Sequence, residues 1–167
     1  SRETFGVALK RLGYSINESD PARIAEAQAM LIAQKPLVYS YETETDALMQ
    51  SKQVTVTHAW NGDVLRVAKE QPEWKYVVPD EGGTIFIDNL AIPKATQHQA
   101  LAESFLDYLL RPDVIAQITL FTQYANCVPA SQAHLPEAVT TNPAVYPPSE
   151  LTARLEPIKR EAAMDRA

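Results

Sequence analysis

Apolar positions recur at three- and four-residue spacing over the opening two segments, 2–12 and 21–34, after which short stretches of tighter spacing intervene between helical ones. Phe5, Leu9 and Leu12 predict a helix over 2–12, with Gly13 placed as its left-handed cap. Ser19-Asp20-Pro21 predicts a second start, Asp20 being the N-cap and Pro21 the first helical residue, and Ile24, Ala27 and Leu31 carry that helix to about 34–36. Leu37-Val38-Tyr39-Ser40 then reads as a short strand, 46–50 as a short helix, and Val54-Thr55-Val56-Thr57-His58-Ala59 as a strand of β-branched alternation. A helix follows Gly62 to about residue 70, and Tyr76-Val77-Val78-Pro79 predicts another brief strand.

Beyond the turn Asp80-Glu81-Gly82-Gly83, residues 84–92 predict the longest strand, closed by Pro93. Thr96 and Gln99 have capping-box spacing for a helix through Leu110 whose face is Leu101, Phe105, Leu106 and Leu109. Arg111-Pro112-Asp113 breaks that helix and starts another over 113–121. Dense prolines make 129–148 an irregular crossing with a short helical turn, and a last helix runs from Ser149, kinked near Pro157. Strands alternating with helices predict an α/β layered fold.

Composition narrows the function classes. With 46% apolar and 22% charged residues the chain reads as a soluble globular protein, and no run approaches the roughly 18 apolar residues of a membrane span. A net charge of −6 disfavours nucleic acid and anionic membrane as partners and tolerates a cationic ligand. Cys127 is the only cysteine, so an internal disulfide is excluded, and it reads as a small buried apolar residue. His58, His98 and His134 have no metal-binding spacing with one another or with Cys127. No G-x-S-x-G, phosphate loop or nucleophile with a base is present, so neither an enzyme, a metal site nor a cofactor is expected.

The chemistry that remains is aromatic and acidic. Trp60-Asn61-Gly62-Asp63 sets an indole and a carboxylate where a strand should turn into a helix, and Phe86-Ile87-Asp88 repeats the pairing two residues apart on a strand. Ring faces attract an organic ammonium ion by roughly 0.5–2 kcal/mol, and carboxylates add charge-assisted hydrogen bonds. Each residue also has an ordinary explanation. Trp60 could be core, Asp63 could complement a helix N-terminus, Glu3 could be solvated surface and Tyr124 loop packing. Asp88 is harder to set aside, because a carboxylate amid Ile85, Phe86, Ile87 and Leu90 is costly unless paired, hydrogen-bonded or open to a cleft.

The segments Ser1-Arg2-Glu3-Thr4-Phe5, Ala59-Trp60-Asn61-Gly62-Asp63, Glu81-Gly82-Gly83, Phe86-Ile87-Asp88-Asn89-Leu90-Ala91-Ile92-Pro93 and Tyr108-Leu109-Leu110-Arg111-Pro112-Asp113-Val114 resemble the spermidine/putrescine-binding proteins, the extracellular solute receptors of polyamine ABC transporters. The resemblance implies a type II periplasmic-binding-protein-like α/β fold of which this chain is part, and a periplasmic or extracellular location. Residues 1–85 and 133–167 would belong to the second lobe, with 86–132 forming a hinge and first-lobe segment. It implies that Trp60 and Phe86 flank the methylene chain of a polyamine, that Asp88 and Glu3 bind ammonium groups, that Asp63 takes an amine in putrescine-type members and that Tyr124 lines the cleft. Phe86 stands where the family usually has Trp, a smaller ring with a weaker cation–π attraction.

Only the later half of such a receptor is represented, and Ser1 falls inside a helical pattern with neither initiator Met nor signal sequence, so the chain reads as a fragment. Impaired polyamine binding by the lone chain is expected, as is a homodimer formed by segment exchange; the parent would pass ligand to a membrane permease. The competing expectation is a structural or interaction protein that keeps the lobe fold without the ligand.

Overall fold

The computed structural model describes residues 2–159. Its elements run α1 (Arg2–Arg11), α2 (Pro21–Gln34), a 3-10 turn (Lys35–Leu37), α3 (Thr45–Gln50), α4 (Asn61–Ala68), β1 (Gly83–Thr84), α5 (Gln99–Leu109), α6 (Pro112–Thr122), a second 3-10 segment (Pro129–His134), α7 (Glu137–Thr140), α8 (Ser149–Thr152) and β2 (Leu155–Glu156). The described residues divide into two units, one assembled from 2–41, 78–87 and 148–159, the other from 42–77 and 88–147. Each unit takes segments from across the boundaries at 85 and 132 read from the sequence.

In the first unit the helix ends follow local chemistry. Asp20 caps α2 by accepting a 2.8 Å bond from the Ala22 amide, and Pro21, which has no N–H to satisfy, occupies the first turn. Gly13 ends the α1 region at φ +82°, with its own amide bonded to the Lys10 carbonyl and that of Tyr14 to the Leu9 carbonyl, the paired bonds of a Schellman cap. The two helices bury Ala8, Leu9 and Ala27 against each other, with Phe5, Leu12, Tyr14, Met30 and Leu31 packed around them. Full burial of a leucine such as Leu9 stabilises the pair by about 1.5–3 kcal/mol.

β1 and β2 pair in parallel, Gly83 opposite Leu155 and Thr84 opposite Glu156. The Glu156 carboxylate ties this ladder to α1, accepting 2.6 Å from Lys10 Nζ and 2.5 Å from Ser15 Oγ. Partial burial pushes that carboxyl up, but the Lys10 ammonium and the Ser15 hydroxyl outweigh it and hold it below the usual carboxylate range.

In the second unit Met49, Val64 and Val67 form the core between α3 and α4, flanked by Ala59, Trp74 and Tyr76. α6 ends at Gln123, whose φ of +62° turns the chain back while its amide bonds the Thr119 carbonyl. Asn126 then fixes the loop, donating to Thr119 Oγ1 and accepting from the Val128 amide and the Ser131 hydroxyl, all at 2.9 Å.

Several expectations are overturned. The segments 37–40, 54–59 and 76–79 are not strands, and of the predicted strand 84–92 only Thr84 is paired, helped by an Ile85 amide bond to the Glu156 carbonyl. Alternating β-branched residues favour extended backbone, but a strand exists only where a second strand supplies hydrogen bonds, and among the described residues none lies beside these segments. The T-x-x-Q box does not form; Thr96 Oγ1 accepts from the His98 amide, in a turn that delays the helix start to Gln99. The closing helix stops after four residues because 155–156 join β1, and the remainder of that expectation, 160–167, lies outside the described residues. Cys127 is exposed, its neighbour Asn126 being the residue that turns inward. The apolar face expected for α5 is only half covered: Leu106 and Leu109 are half-buried, but Leu101 is 70% and Phe105 58% exposed.

Candidate functional site

α4 starts where 54–60 ends. Trp60 is its N-cap, backbone extended at φ −75° and ψ 143°, and the Trp60 carbonyl takes the Val64 amide at 3.1 Å to open the first turn. The Asn61 side chain donates 2.8 Å to the Ala144 carbonyl and so holds this turn against the proline-rich crossing. Val64 and Val67 bury the inner face of the helix. Asp63, on the first turn, is left to point elsewhere, at the end of the helix where backbone amides favour negative charge. The indole of Trp60 is 36% exposed, neither core nor bare surface.

Opposite Asp63 stands Tyr124, carried by the Asn126-braced loop after α6. Its hydroxyl donates to Asp63 Oδ1 at 3.3 Å, and its ring lies directly over Gly62. A Cβ at position 62 would sit 2.5 Å from the ring carbons Cε2 and Cζ, so only glycine admits this approach. Burial pushes the phenol up, and the neighbouring Asp63 charge and its hydrogen bond add to the effect against the opposing Arg66, leaving it at about 12.

The same Asp63 oxygen receives a second donor. Arg66, one helical turn further on, places Nη2 2.5 Å from Oδ1 and donates through Nη1 to the Thr122 carbonyl at 3.2 Å. The cluster therefore consists of a carboxylate, a neutral phenol and a guanidinium, enclosed by α4 and the end of α6. Arg66 and Thr122 were not singled out by sequence reasoning. The acidic-basic spacing of three within a helix was the available signal for the first, but such pairs are common on solvated helix faces.

The other expected residues are placed differently. Asp88 lies in the second unit outside any helix or strand and is exposed, so the penalty that a buried carboxylate would incur does not arise. Glu3, on the first turn of α1, and Phe86, 51% exposed, belong to the first unit. Trp60 follows no paired strand, whereas Phe86 lies two residues beyond the end of the paired strand β1. The structure thus joins Asp63 and Tyr124 directly, with Trp60 three residues before Asp63 on the same turn. Among the described residues no group of three or more His, Cys, Asp or Glu side chains is arranged to hold a metal ion, and no helix is long and apolar enough to cross a membrane.

Comparison with known proteins gives these features a setting. The sequence pattern of the bacterial extracellular solute-binding proteins matches residues 2–147. The spermidine/putrescine-binding periplasmic protein 1 of Haemophilus influenzae is 32% identical over 152 residues, covering 90% of this chain and 42% of that protein. The putrescine-binding periplasmic protein PotF of Escherichia coli is 30% identical over 165 residues, covering 94% and 45% respectively. Among solved structures, the spermidine/putrescine ABC transporter substrate-binding protein PotD of Streptococcus pneumoniae superposes with a TM-score of 0.89 at 27% identity, covering 98% of this chain and 51% of that one. The chain spans less than half the length of these two curated relatives. The α/β, periplasmic-binding-protein-like fold expected from the sequence is present as a part of the whole. Exchange of a segment between two copies finds no support in the fold or in these relatives.

Proposed function

The chain belongs to the bacterial extracellular solute-binding protein family, and from that premise we propose that it carries part of the recognition surface of a polyamine receptor serving an ABC permease outside the cytoplasmic membrane. The observation that carries this reading is the meeting of Asp63 and Tyr124 beside a partly exposed indole at the start of α4. A carboxylate held in place by a phenol, next to an aromatic face, suits an alkylammonium group: the charge meets the acid and the methylenes meet the ring. Asp88, exposed in the same unit, is a second acid for an ammonium. Relatives named for spermidine, putrescine or both support the choice of polyamine over other cations.

The experiment is a titration of the chain with putrescine and spermidine, followed by NMR of the Trp60 indole and Tyr124 ring, alongside Asp88→Asn. Saturable shifts for the diamine and triamine, weakened in the variant and absent with glutamate, are expected even at a millimolar dissociation constant, about −4.1 kcal/mol. Shifts that never saturate, or that persist unchanged in Asp88→Asn, would leave the reading for a lobe fold without its ligand.

A further inference from the structure

The cluster on α4 is a cation site that already holds a cation. Arg66 Nη2 reaches Asp63 Oδ1 at 2.5 Å, and the Tyr124 hydroxyl donates to that same oxygen, so an incoming ammonium meets a carboxylate whose charge is already compensated. The guanidinium is not a loosely swinging surface group. Its other nitrogen is bonded to the Thr122 carbonyl, and its stem leaves the helix one turn from Asp63, so both ends of the pair are fixed. Asp63, with its side chain 24% exposed, and Arg66, at 42%, remain within reach of solvent and therefore of a solute.

Resting on the polyamine reading above, we propose that Arg66 is a specificity-determining residue that acts as a tethered internal competitor for the Asp63 carboxylate. With Arg66 in place, an ammonium arriving at Asp63 meets a charge already compensated and an oxygen already accepting two donors. It pairs with Oδ1 only by displacing the guanidinium, and at Oδ2 it meets a charge already compensated. Such a site discriminates between amines by what else the ligand can reach: a cation recognised solely through Asp63 loses to the tethered group, whereas a polyamine with further ammonium groups gains contacts elsewhere that offset the displacement of Arg66 from Asp63. Arg66 thus weakens the ammonium position at Asp63 and shifts preference away from ligands that depend on it alone.

The test compares the wild-type chain with Arg66→Gln, which removes the charge and keeps a polar side chain, and Arg66→Ala. Each is titrated with butylammonium, putrescine and spermidine while the Tyr124 ring is followed by NMR, and Asp63→Asn in the Arg66→Gln background reports whether binding is at that carboxylate. An exposed helical ion pair of this kind competes by roughly two-fold, so butylammonium is expected to bind both Arg66 variants about two-fold more tightly than wild type, with the gain lost on Asp63→Asn. Free guanidinium at low millimolar concentration should compete with butylammonium in Arg66→Ala and have no such effect in wild type. Equal affinities in wild type and both variants for every amine, with folded spectra, would overturn the proposal. Failure of the polyamine reading looks different: spermidine and putrescine would then bind no better than butylammonium in any variant, while the Arg66 effect on butylammonium persisted.

Discussion

Replacing Gly62 by alanine tests whether the approach of Tyr124 to α4 is as tight as the structure states. The added Cβ would lie 2.5 Å from two ring carbons and 2.7 Å from a third, where carbon atoms ordinarily rest at about 3.5–4.0 Å. The ring must therefore retreat by about 1 Å, and it is tethered by its hydroxyl to Asp63 and by its amide to Thr122 Oγ1. Overpacking of this order costs about 1–3 kcal/mol. Alanine in place of glycine within a helix returns about 0.5–1 kcal/mol. The net effect is a loss centred near 1 kcal/mol and reaching about 2.5 kcal/mol. A double-mutant cycle isolates the collision: in a Tyr124→Ala background the clash is gone, and Gly62→Ala should stabilise by about 0.5–1 kcal/mol. Urea unfolding followed by tryptophan fluorescence is the assay, because both tryptophans, Trp60 and Trp74, lie in the unit that contains Gly62. If Gly62→Ala stabilises the wild-type chain as much as it does the Tyr124→Ala chain, the two residues do not interact and the described cluster is wrong.

Two further outcomes follow from the first unit. Asp20→Ala removes the acceptor for the Ala22 amide and should cost about 0.5–2 kcal/mol, seen as faster hydrogen exchange along α2; unchanged exchange would mean the cap contributes nothing. Glu18 accepts from Arg23 and from the Asp20 and Ser19 amides, which hold its carboxyl at about 2 against an ordinary 4.5. Because the folded value is the lower one, the stabilisation is whole above pH 4.5 and lost as pH falls towards 2. The stability difference between wild type and Glu18→Gln should therefore be constant from neutral pH to about 5 and vanish by about 2; a difference that stays flat across that window refutes the assignment.

How much of this was legible in the chain depended on how far apart the interacting groups stand. Asp20-Pro21, Gly13 and Pro112 act on their own helix within a few residues, and each does in the structure what its local chemistry dictates. The strands were misread for the opposite reason. Val54 to Ala59 states a preference for extended backbone but carries no information about a neighbour, and Leu155-Glu156, inside an apparently helical stretch, becomes a strand because Gly83-Thr84 lies beside it. The site shows the same division. Asp63 and Trp60 were visible through their shared turn, whereas the contact with Tyr124 spans 61 positions and emerges only when the loop after α6 is braced by Asn126. Arg66 was in plain view, but its significance comes from Thr122, a backbone carbonyl with no signature in a sequence.

The parallel pairing of β1 with β2 has a consequence for the chain as it is made. Gly83 must wait for Leu155, 72 positions later, which at about 5–20 residues per second is a delay of roughly 4–14 s on the ribosome. The α1–α2 hairpin can zip up early through Leu9 and Ala27, but Lys10 and Ser15 have no carboxylate to hold until Glu156 has left the exit tunnel. Throughout that interval the nascent polypeptide presents an unfinished edge to the cell, and whatever escorts it must leave that edge clear for the late-arriving strand.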